Sequence, residues 1–321
     1  MSESRIVQLT ASDITMDEQR LDASLWQLGL RRLRRDYLTI AAIVVILIIA
    51  LLALLAPVIS NQILNVNYTK TSRDIFLPIG SAGHILGTDD IGRDYFSRLL
   101  YGGRVSMGIA FSSAVISILI GITLGLISGY YQGGPLKIVD DTMMWFITTL
   151  NSIPTLYLLI ILVAAMGGNS TSVRSSVSLS VLSLVLILSL LGWTGTLRLV
   201  RGETISQKNR EYIVAAHAIG VSTWRIMFSH ILPNVFSVII VSLAIDIGNL
   251  ILVESTLSYL GLGVQEPTPS WGNMLTDAQT FFTRGLHLLL IPGTLIGVTV
   301  LCLYIIGDGL RDAFDPQTVK K

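Results

Sequence analysis

The chain has few charged residues for its length. Its 321 residues include 22 Lys+Arg and 21 Asp+Glu, or 13% of the chain, about half of the roughly 25% usual for soluble domains. Hydrophobic residues make up 51%, and the mean hydropathy is +0.67. This charge is too little to cover the surface of a soluble protein of this size. The composition therefore excludes a soluble enzyme, a nucleic-acid-binding protein and a disordered chain.

The charges are also clustered, and six stretches of at least 20 residues contain none of them. About 20 apolar residues cross a lipid bilayer as an α-helix. The pattern therefore predicts an all-α polytopic membrane protein with six transmembrane helices. The six stretches are Tyr37–Thr69, Val105–Leu136, Thr142–Val173, Ser175–Leu197, Ile226–Ile245 and Gly285–Gly307.

Residues with catalytic or metal-binding potential are scarce. The single cysteine, Cys302, lies in the last apolar stretch and has no partner for an intrachain disulfide. The four histidines show no metal-ligand spacing, and no G-x-S-x-G motif occurs. No lysine follows a glycine, which excludes a G-x-x-x-x-G-K-[ST] phosphate loop. We therefore predict no catalytic residue, no metal site, no cofactor and no nucleotide hydrolysis through a phosphate loop in this chain.

Positive charge predicts the orientation in the membrane. Arg31, Arg32, Arg34 and Arg35 directly precede the first span, which places the N-terminus in the cytoplasm. Six spans return the C-terminus to that side. This orientation puts 15 Lys+Arg inside and 7 outside, counting Arg104 at a helix start. The predicted segments are a cytoplasmic tail (1–36), a first helix (37–59), an external segment (60–103), a core (104–307) with a cytoplasmic loop (198–230), and a cytoplasmic tail (308–321).

The cytoplasmic loop is the most informative segment. Glu211 to Ala218 is predicted to form a short helix with small residues at Ala215, Ala216 and Ala218. Gly220 readily adopts the left-handed backbone conformation that ends a helix. Pro233 stands where the next membrane helix begins. A short helix held between two spans suits docking into a groove on a partner. An ordinary connection that covers the helix ends explains the same residues equally well.

This spacing resembles the "EAA" loop of ABC importer permeases, which reads E-A-A, three residues, G, nine residues, I-x-L-P. Ala215 and Ala216 hold the Ala positions, Gly220 the Gly, and Leu232-Pro233 the closing pair. Val214 and His230 depart from the family's Glu and Ile. Glu211, three residues upstream, lies on the same helix face and provides an acid one turn back.

Further segments resemble the permease subunits of dipeptide/oligopeptide-type ABC importers, in the family's order and with most similarity to the C-type subunit. The resemblance implies a five-helix core preceded by one extra helix, in the cell membrane of a prokaryote. It also implies a second homologous permease, two cytoplasmic ATPase subunits and an extracytoplasmic solute-binding protein. Peptides are the expected solute, although relatives of this type also transport nickel, oligosaccharides and other small solutes. These segments are His84–Arg98, Gly103–Ser106, Tyr259–Gln265, Pro269–Leu275 and Gly307–Pro316.

Two acids in the fifth span are candidates for the translocation pathway or the permease interface. Asp246 lies about halfway along the span, and Glu254 follows two turns later. Acids at this depth are costly and usually functional. Asp246 either bonds to a neighbouring helix or partner permease, or it contacts solute. An alternative function follows from the second possibility: a secondary transporter or channel that uses Asp246 as an ion or proton site.

The external loop from Gly261 to Thr283 is rich in glycine and proline near its start. Trp271 and Asn273 lie in it, and an exposed tryptophan is a plausible contact for a binding protein. Trp271 serves equally well as an anchor at the membrane interface.

Overall fold

The computed structural model describes residues 25–81, 83–167, 177–276 and 281–314. These residues form helices and loops and contain no β-strand. Parts of both predicted tails, 1–24 and 315–321, lie outside the described residues. The helices are α1 Leu25–Leu33, α2 Tyr37–Leu54, α3 Tyr95–Tyr131, α4 Lys137–Asn151, α5 Thr155–Gly167, α6 Val177–Lys208, α7 Glu211–Ala218, α8 Leu232–Tyr259 and α9 Leu286–Phe314.

Short turns extend two of these helices. A turn at Ala56–Val58 and a π-helical turn at Ile59–Ile63 follow α2. A turn at Thr223–Arg225 and a π-helical turn at Ile226–Ile231 lead directly into α8. The path from Thr223 to Tyr259 is therefore one apolar helical span of 37 residues.

Five unbroken helices in the described part of the chain are long and apolar enough to cross a membrane. The bent pair α4–α5 makes a sixth span if it is counted as one. This pair lies largely in the predicted third span, Thr142–Val173, and its two helices meet at an angle of 87°. Pro154 causes the break, since it lacks an N–H and disfavours helical geometry at Ile153. Residues 168–176 lie outside the described residues.

The closest helix packing is between α3 and α6. Glycines at every fourth position of α3 face α6, so the two backbones approach closely. A β-carbon added at Gly125 would lie 2.8 Å from the carbonyl oxygen of Leu197, and one at Gly129 would lie 2.7 Å from that of Arg201. Such small-residue stripes are typical of membrane helix interfaces. The sequence shows this spacing at Gly121, Gly125 and Gly129, but our sequence reasoning did not use it.

The loops collect at two opposite ends of the bundle. The Trp271 end contains residues 64–94 and 260–276, and there the Trp271 indole N–H donates to the Leu99 carbonyl at 3.1 Å. The Gly220 end contains residues 132–136 and 209–231, and there the Tyr130 hydroxyl lies 2.9 Å from His217 Nε2. Helices α3 and α8 run between these ends in opposite directions.

The first and last described helices meet at the Gly220 end. An added β-carbon at Gly29 in α1 would lie 2.7 Å from the Phe314 ring in α9. One at Gly309 would collide with the Thr39 hydroxyl of α2. Asp36 caps α2 by accepting a hydrogen bond from the Leu38 N–H at 3.1 Å. Both described ends of the chain therefore lie on one side of the bundle, as an even number of spans requires.

Several helices extend past the predicted boundaries. Helix α3 begins at Tyr95, inside the predicted external segment 60–103, and α6 continues to Lys208, inside the predicted loop 198–230. Helix α9 continues to Phe314, inside the predicted tail 308–321. Charged residues marked the predicted ends, but helices continue past charges wherever these reach water or an ion-pair partner.

We expect Gly125→Ala to destabilise the protein by about 1–3 kcal/mol, because its methyl group must displace the α6 backbone. The midpoint of thermal unfolding of the purified protein in detergent measures this. Gly195→Ala is the matched control, since a β-carbon there meets no atom within 4 Å, and it should be neutral or stabilising. A Gly125→Ala midpoint equal to the wild-type value would refute the close α3–α6 packing.

Candidate functional site

Helix α7 spans Glu211–Ala218, as predicted, and its two faces differ. Ile213 and Ala216 face the bundle and are 1% and 6% exposed. Glu211, Val214, Ala215 and Ala218 follow helical spacing on the other face, and all four are exposed. Glu211 and Val214 thus share a face, as the sequence predicted. The predicted docking face is wrong at Ala216, because its small side chain packs beneath the helix.

Gly220 ends α7 in the left-handed conformation, with a φ of +79°. The Val221 N–H donates to the Ala216 carbonyl at 3.1 Å, and the Gly220 N–H donates to that of His217 at 3.0 Å. This pair of bonds is the Schellman arrangement, which favours glycine at the left-handed position. The predicted role of Gly220 as a helix stop is confirmed.

Pro233 is the second residue of α8 and follows the π-helical turn Ile226–Ile231. Its missing N–H interrupts regular helical bonding at this point. The next residue, Asn234, adds a side-chain bond here, since its Nδ2 donates to the His230 carbonyl at 2.7 Å. Ser222 occupies the position before the Thr223 turn, but its hydroxyl makes no capping bond.

Side chains fasten this segment to the transmembrane helices. Besides the Tyr130–His217 contact, the Tyr212 hydroxyl donates to Gln207 Oε1 at 2.9 Å. Lys208, the last residue of α6, donates to backbone carbonyls at the end of α3, including that of Gly129 at 3.2 Å. These bonds join α7 to α3 and α6, and they join the end of α6 to the end of α3.

The surface around α7 is unusually apolar for one so exposed. Ile219 is 80% exposed and Val214 is 59% exposed, and the rings of Trp224 and Phe228 stack with centroids 5.7 Å apart. Contiguous exposed apolar side chains commonly mark a protein interaction site. We call Val214, Ala215, Ala218, Ile219 and Trp224 the coupling surface.

An ion pair near the coupling surface was missed by sequence reasoning. Arg201 of α6 donates to both carboxylate oxygens of Asp140 in α4, at 2.6 and 2.7 Å. The Ser128 hydroxyl of α3 donates to the same carboxylate at 2.5 Å. Asp140 thus joins three helices at the Gly220 end. Asp140 and Arg201 are 61 residues apart, and no spacing rule connects them.

Asp246 lies half-buried in α8, where the Thr196 hydroxyl of α6 donates to its Oδ2 at 3.4 Å. This contact fits the first of the two interpretations, a bond to a neighbouring helix. The assignment of Asp246 to the pathway or the permease interface stays a prediction.

Glu254 does not lie on a surface. Its side chain is 0% exposed beneath the 260–276 loop, and the Ser258 hydroxyl donates to its Oε1 at 2.7 Å. The loop folds back over the end of α8 and covers this side chain. The assignment of Glu254 to the pathway or the permease interface stays a prediction.

Trp271 is also buried, at 1% exposure. Its backbone N–H donates to the Ser106 hydroxyl at 3.1 Å, and its ring lies over Gly103, where a β-carbon would approach within 2.8 Å. The predicted exposed contact is therefore wrong, and so is the interfacial anchor. The ring fills the space between the loop and α3.

Asn273 holds the loop together from within. Its Nδ2 donates to the carbonyls of Thr268 and Val264, at 2.8 and 3.1 Å. Its Oδ1 accepts a hydrogen bond from the Ser270 N–H at 2.8 Å. The amide is thus used inside the loop, although a binding-protein contact for Asn273 stays a prediction.

Ion pairs tie the 260–276 loop to the segment before α3. Glu266 accepts from Arg93 Nη1 at 2.6 Å and from Arg98 Nη2 at 2.7 Å. Asp89 accepts from Arg93 Nε at 2.6 Å. Burial works to raise the pKa of Glu266, but the hydrogen bonds and charges of Arg98 and Arg93 outweigh it and hold this pKa below its ordinary value. The resemblance segment His84–Arg98 thus has a structural role.

Comparison with known proteins identifies the family to which this chain belongs. Residues 121–320 match the family described as the binding-protein-dependent transport system inner membrane component. Residues 24–78 match the N-terminal TM domain of oligopeptide transport permease C. The chain belongs to the first of these families, the binding-protein-dependent transport permeases. It is therefore a multi-pass transport permease of the ABC importer type, and the predicted all-α fold and family are confirmed.

Several named transport permeases are similar to this chain in sequence. The oligopeptide transport system permease protein OppC of Haemophilus influenzae is 35% identical over 94% of this chain and 92% of its own. The dipeptide transport system permease protein DppC of Alkalihalophilus pseudofirmus is 35% identical over 94% and 93%. The glutathione transport system permease protein GsiD of Pectobacterium atrosepticum is 38% identical over 74% of both chains.

We expect Glu266→Gln to lower the midpoint of thermal unfolding of this permease at neutral pH, because buried Arg98 loses a carboxylate partner. The pKa of Glu266 is lowered in the folded protein, so its contribution is present above the ordinary glutamate value of about 4.3. The contribution is lost as the pH falls through the lowered value. The difference between wild type and variant should therefore shrink in acid.

Asp74→Asn is the matched control at the same end, because Asp74 is exposed and its carboxylate makes no ion pair within the described residues. It should leave the midpoint unchanged. Equal midpoints for Glu266→Gln and the wild type at pH 7 would show that these ion pairs do not hold the loop.

Proposed function

We propose that this permease is the C-type transmembrane subunit of an ATP-driven importer of peptides. It forms half of the translocation pathway with a second homologous permease. Two cytoplasmic ATPase subunits bind the inner side, and an extracytoplasmic binding protein delivers the peptide. The names of the relatives support the solute class, since two of those described above are peptide permeases and the third is a glutathione permease.

The observation that carries the coupling role is the exposed apolar surface on a firmly anchored helix. A partner that binds the coupling surface buries Ile219 and Val214, which contributes favourable free energy in proportion to the apolar area removed from water. Helix α7 is bonded to α3 through Tyr130, and the short turns of residues 219–231 connect it to α8. Movement of the partner therefore changes the packing of the transmembrane helices.

Alternating access requires two arrangements of the transmembrane helices whose balance the ATPase subunits shift. Moving a two-state balance from 1:99 to 99:1 takes about 5.5 kcal/mol of differential binding. Closure of the ATPase subunits on ATP supplies this difference through α7. The Asp140–Arg201 pair is placed at the same end and couples α4 to this movement.

The secondary transporter or channel has less support. That alternative relied on Asp246 as an ion or proton site. Thr196 already bonds to this carboxylate, and the family is one of binding-protein-dependent transport components. Within the described residues no three His, Cys, Asp or Glu side chains are grouped so that they could hold a metal ion.

We expect Gly220→Val to leave the protein in the membrane but abolish ATP-dependent peptide uptake. A side chain in the left-handed region costs roughly 1–2 kcal/mol, and relief of that strain displaces α7 from its docking position. Uptake by membrane vesicles containing the complete transporter, together with copurification of the ATPase subunits, measures this.

Gly133→Val is the matched control, since Gly133 has a φ of +74° in the turn between α3 and α4 at the same end. It carries the same strain away from the coupling surface and should retain uptake. Normal uptake by Gly220→Val at normal expression would contradict the coupling role.

We also propose that the Gly220 end and both chain termini face the cytoplasm, supported by the excess of Lys+Arg on that side. In a Cys302→Ala background, Lys70→Cys should react with an impermeant thiol reagent added to intact cells, because Lys70 is exposed at the Trp271 end. Asn209→Cys should react only after permeabilisation. The reverse labelling would invert the topology, and α7 would then be unable to reach a cytoplasmic ATPase.

A further inference from the structure

A groove of about 430 Å³ lies between α3, α6 and the loops of the Trp271 end. Its size is within the range of small-molecule sites. Arg104, Gly108 and Ser112 line it along one face of α3, spaced one helical turn apart. Tyr68, Tyr101 and Thr268 contribute to its wall. None of these residues belongs to the coupling surface or to the Glu266 ion pairs.

Of the described residues that line this groove, Arg104 alone is charged. It is not at a helix start, as the sequence indicated, but nine residues into α3, or about 13 Å along the helix axis. Among the residues the structure describes, Arg104 has no ion pair, whereas Arg93 and Arg98 are both paired with acids. Arg104 is exposed and directly precedes the uncharged stretch Val105–Leu136, at the edge of the apolar part of α3. Arg104 therefore has a positive charge available to a ligand.

The groove is shaped to admit a ligand next to this charge. Gly108, one turn below Arg104, is exposed, and a β-carbon added there would meet no atom within 4 Å. The Tyr68 and Tyr101 rings lie 4.2 Å apart and form an aromatic wall beside it. A planar guanidinium beside open space is the arrangement that binds a carboxylate with two parallel hydrogen bonds.

We propose that Arg104 binds the C-terminal carboxylate of the transported peptide as it enters the pathway from the Trp271 end. A peptide permease must accept many side chains, and the main-chain carboxylate is an anionic group that all unmodified peptides share. The groove thus contributes a selectivity for free peptides that is separate from the binding protein. This inference rests on the proposed function.

The test compares one peptide with its C-terminal amide, using the complete transporter reconstituted in proteoliposomes. The pair is chosen so that the purified binding protein binds both members with equal affinity. Arg104→Gln should reduce uptake of the free peptide by about tenfold, the loss expected for a charge-assisted hydrogen-bonded contact. Uptake of the amide should change less than about twofold.

Two further variants test whether the effect depends on the geometry of Arg104 as well as its charge, and whether loss of another arginine at this end has the same effect. Arg104→Lys keeps the charge without the bidentate geometry and should give an intermediate loss for the free peptide. Arg73→Gln is the matched control, because it removes an exposed arginine at the same end but outside the groove. It should leave both uptake rates unchanged. Each complex is first checked for subunit composition and for ATPase activity stimulated by the binding protein.

The outcomes distinguish this inference from the function on which it rests. If the wild-type complex imports neither peptide with ATP, the proposed function fails and this inference fails with it. If the wild type imports peptide but Arg104→Gln and Arg104→Lys alter both members of the pair equally, only the inference is overturned. Loss of the second permease from the Arg104→Gln complex also overturns it, since Arg104 would then pair with an acid of that subunit.

Discussion

The close contact between α3 and α6 is the constraint on which the other helices depend. Glycines of α3 let its backbone approach the α6 carbonyls, and the Ser117 hydroxyl of α3 donates to the Ser189 carbonyl at 3.2 Å. In a membrane, packing and hydrogen bonds of this kind replace the hydrophobic driving force between helices. The two helices span both ends, so their contact sets the position of the loop segments at each end.

The loops at the two ends are held by different interactions. At the Trp271 end, burial of Trp271 and the Glu266 ion pairs close the loop onto α3 and α8. At the Gly220 end, Ile213 and Ala216 of α7 are buried, whereas the apolar side chains on its other face remain exposed. The 260–276 loop is held in one conformation by these contacts. Helix α7 is bonded to the bundle on one face and has an exposed apolar face on which a partner can bind. The proposed division between solute entry and ATPase coupling follows this difference.

Several residues that the family resemblance pointed to are structural in this chain. Trp271 and Asn273 hold the 260–276 loop in place, and the arginines of His84–Arg98 pair with its Glu266. A motif shows that residues recur together, but it does not show whether they face a partner or each other. Arg104 was counted only as a charge near a helix start. Its place inside the groove depends on α3 beginning at Tyr95, which the charge pattern concealed.

The sequence by itself determined the all-α membrane fold, five of the spans, and the helix and glycine stop at Glu211–Gly220. These follow from local rules: apolar length, charge clustering and the left-handed preference of Gly220 act within one segment of chain. Only the tertiary structure decided that α4 and α5 bend by 87° and that Asp140 meets Arg201. Only the tertiary structure also decided which face of α7 is exposed and that Glu254 and Trp271 are buried. Burial and long-range ion pairs depend on how helices distant in sequence pack together, and periodicity within one helix carries no information about its neighbours.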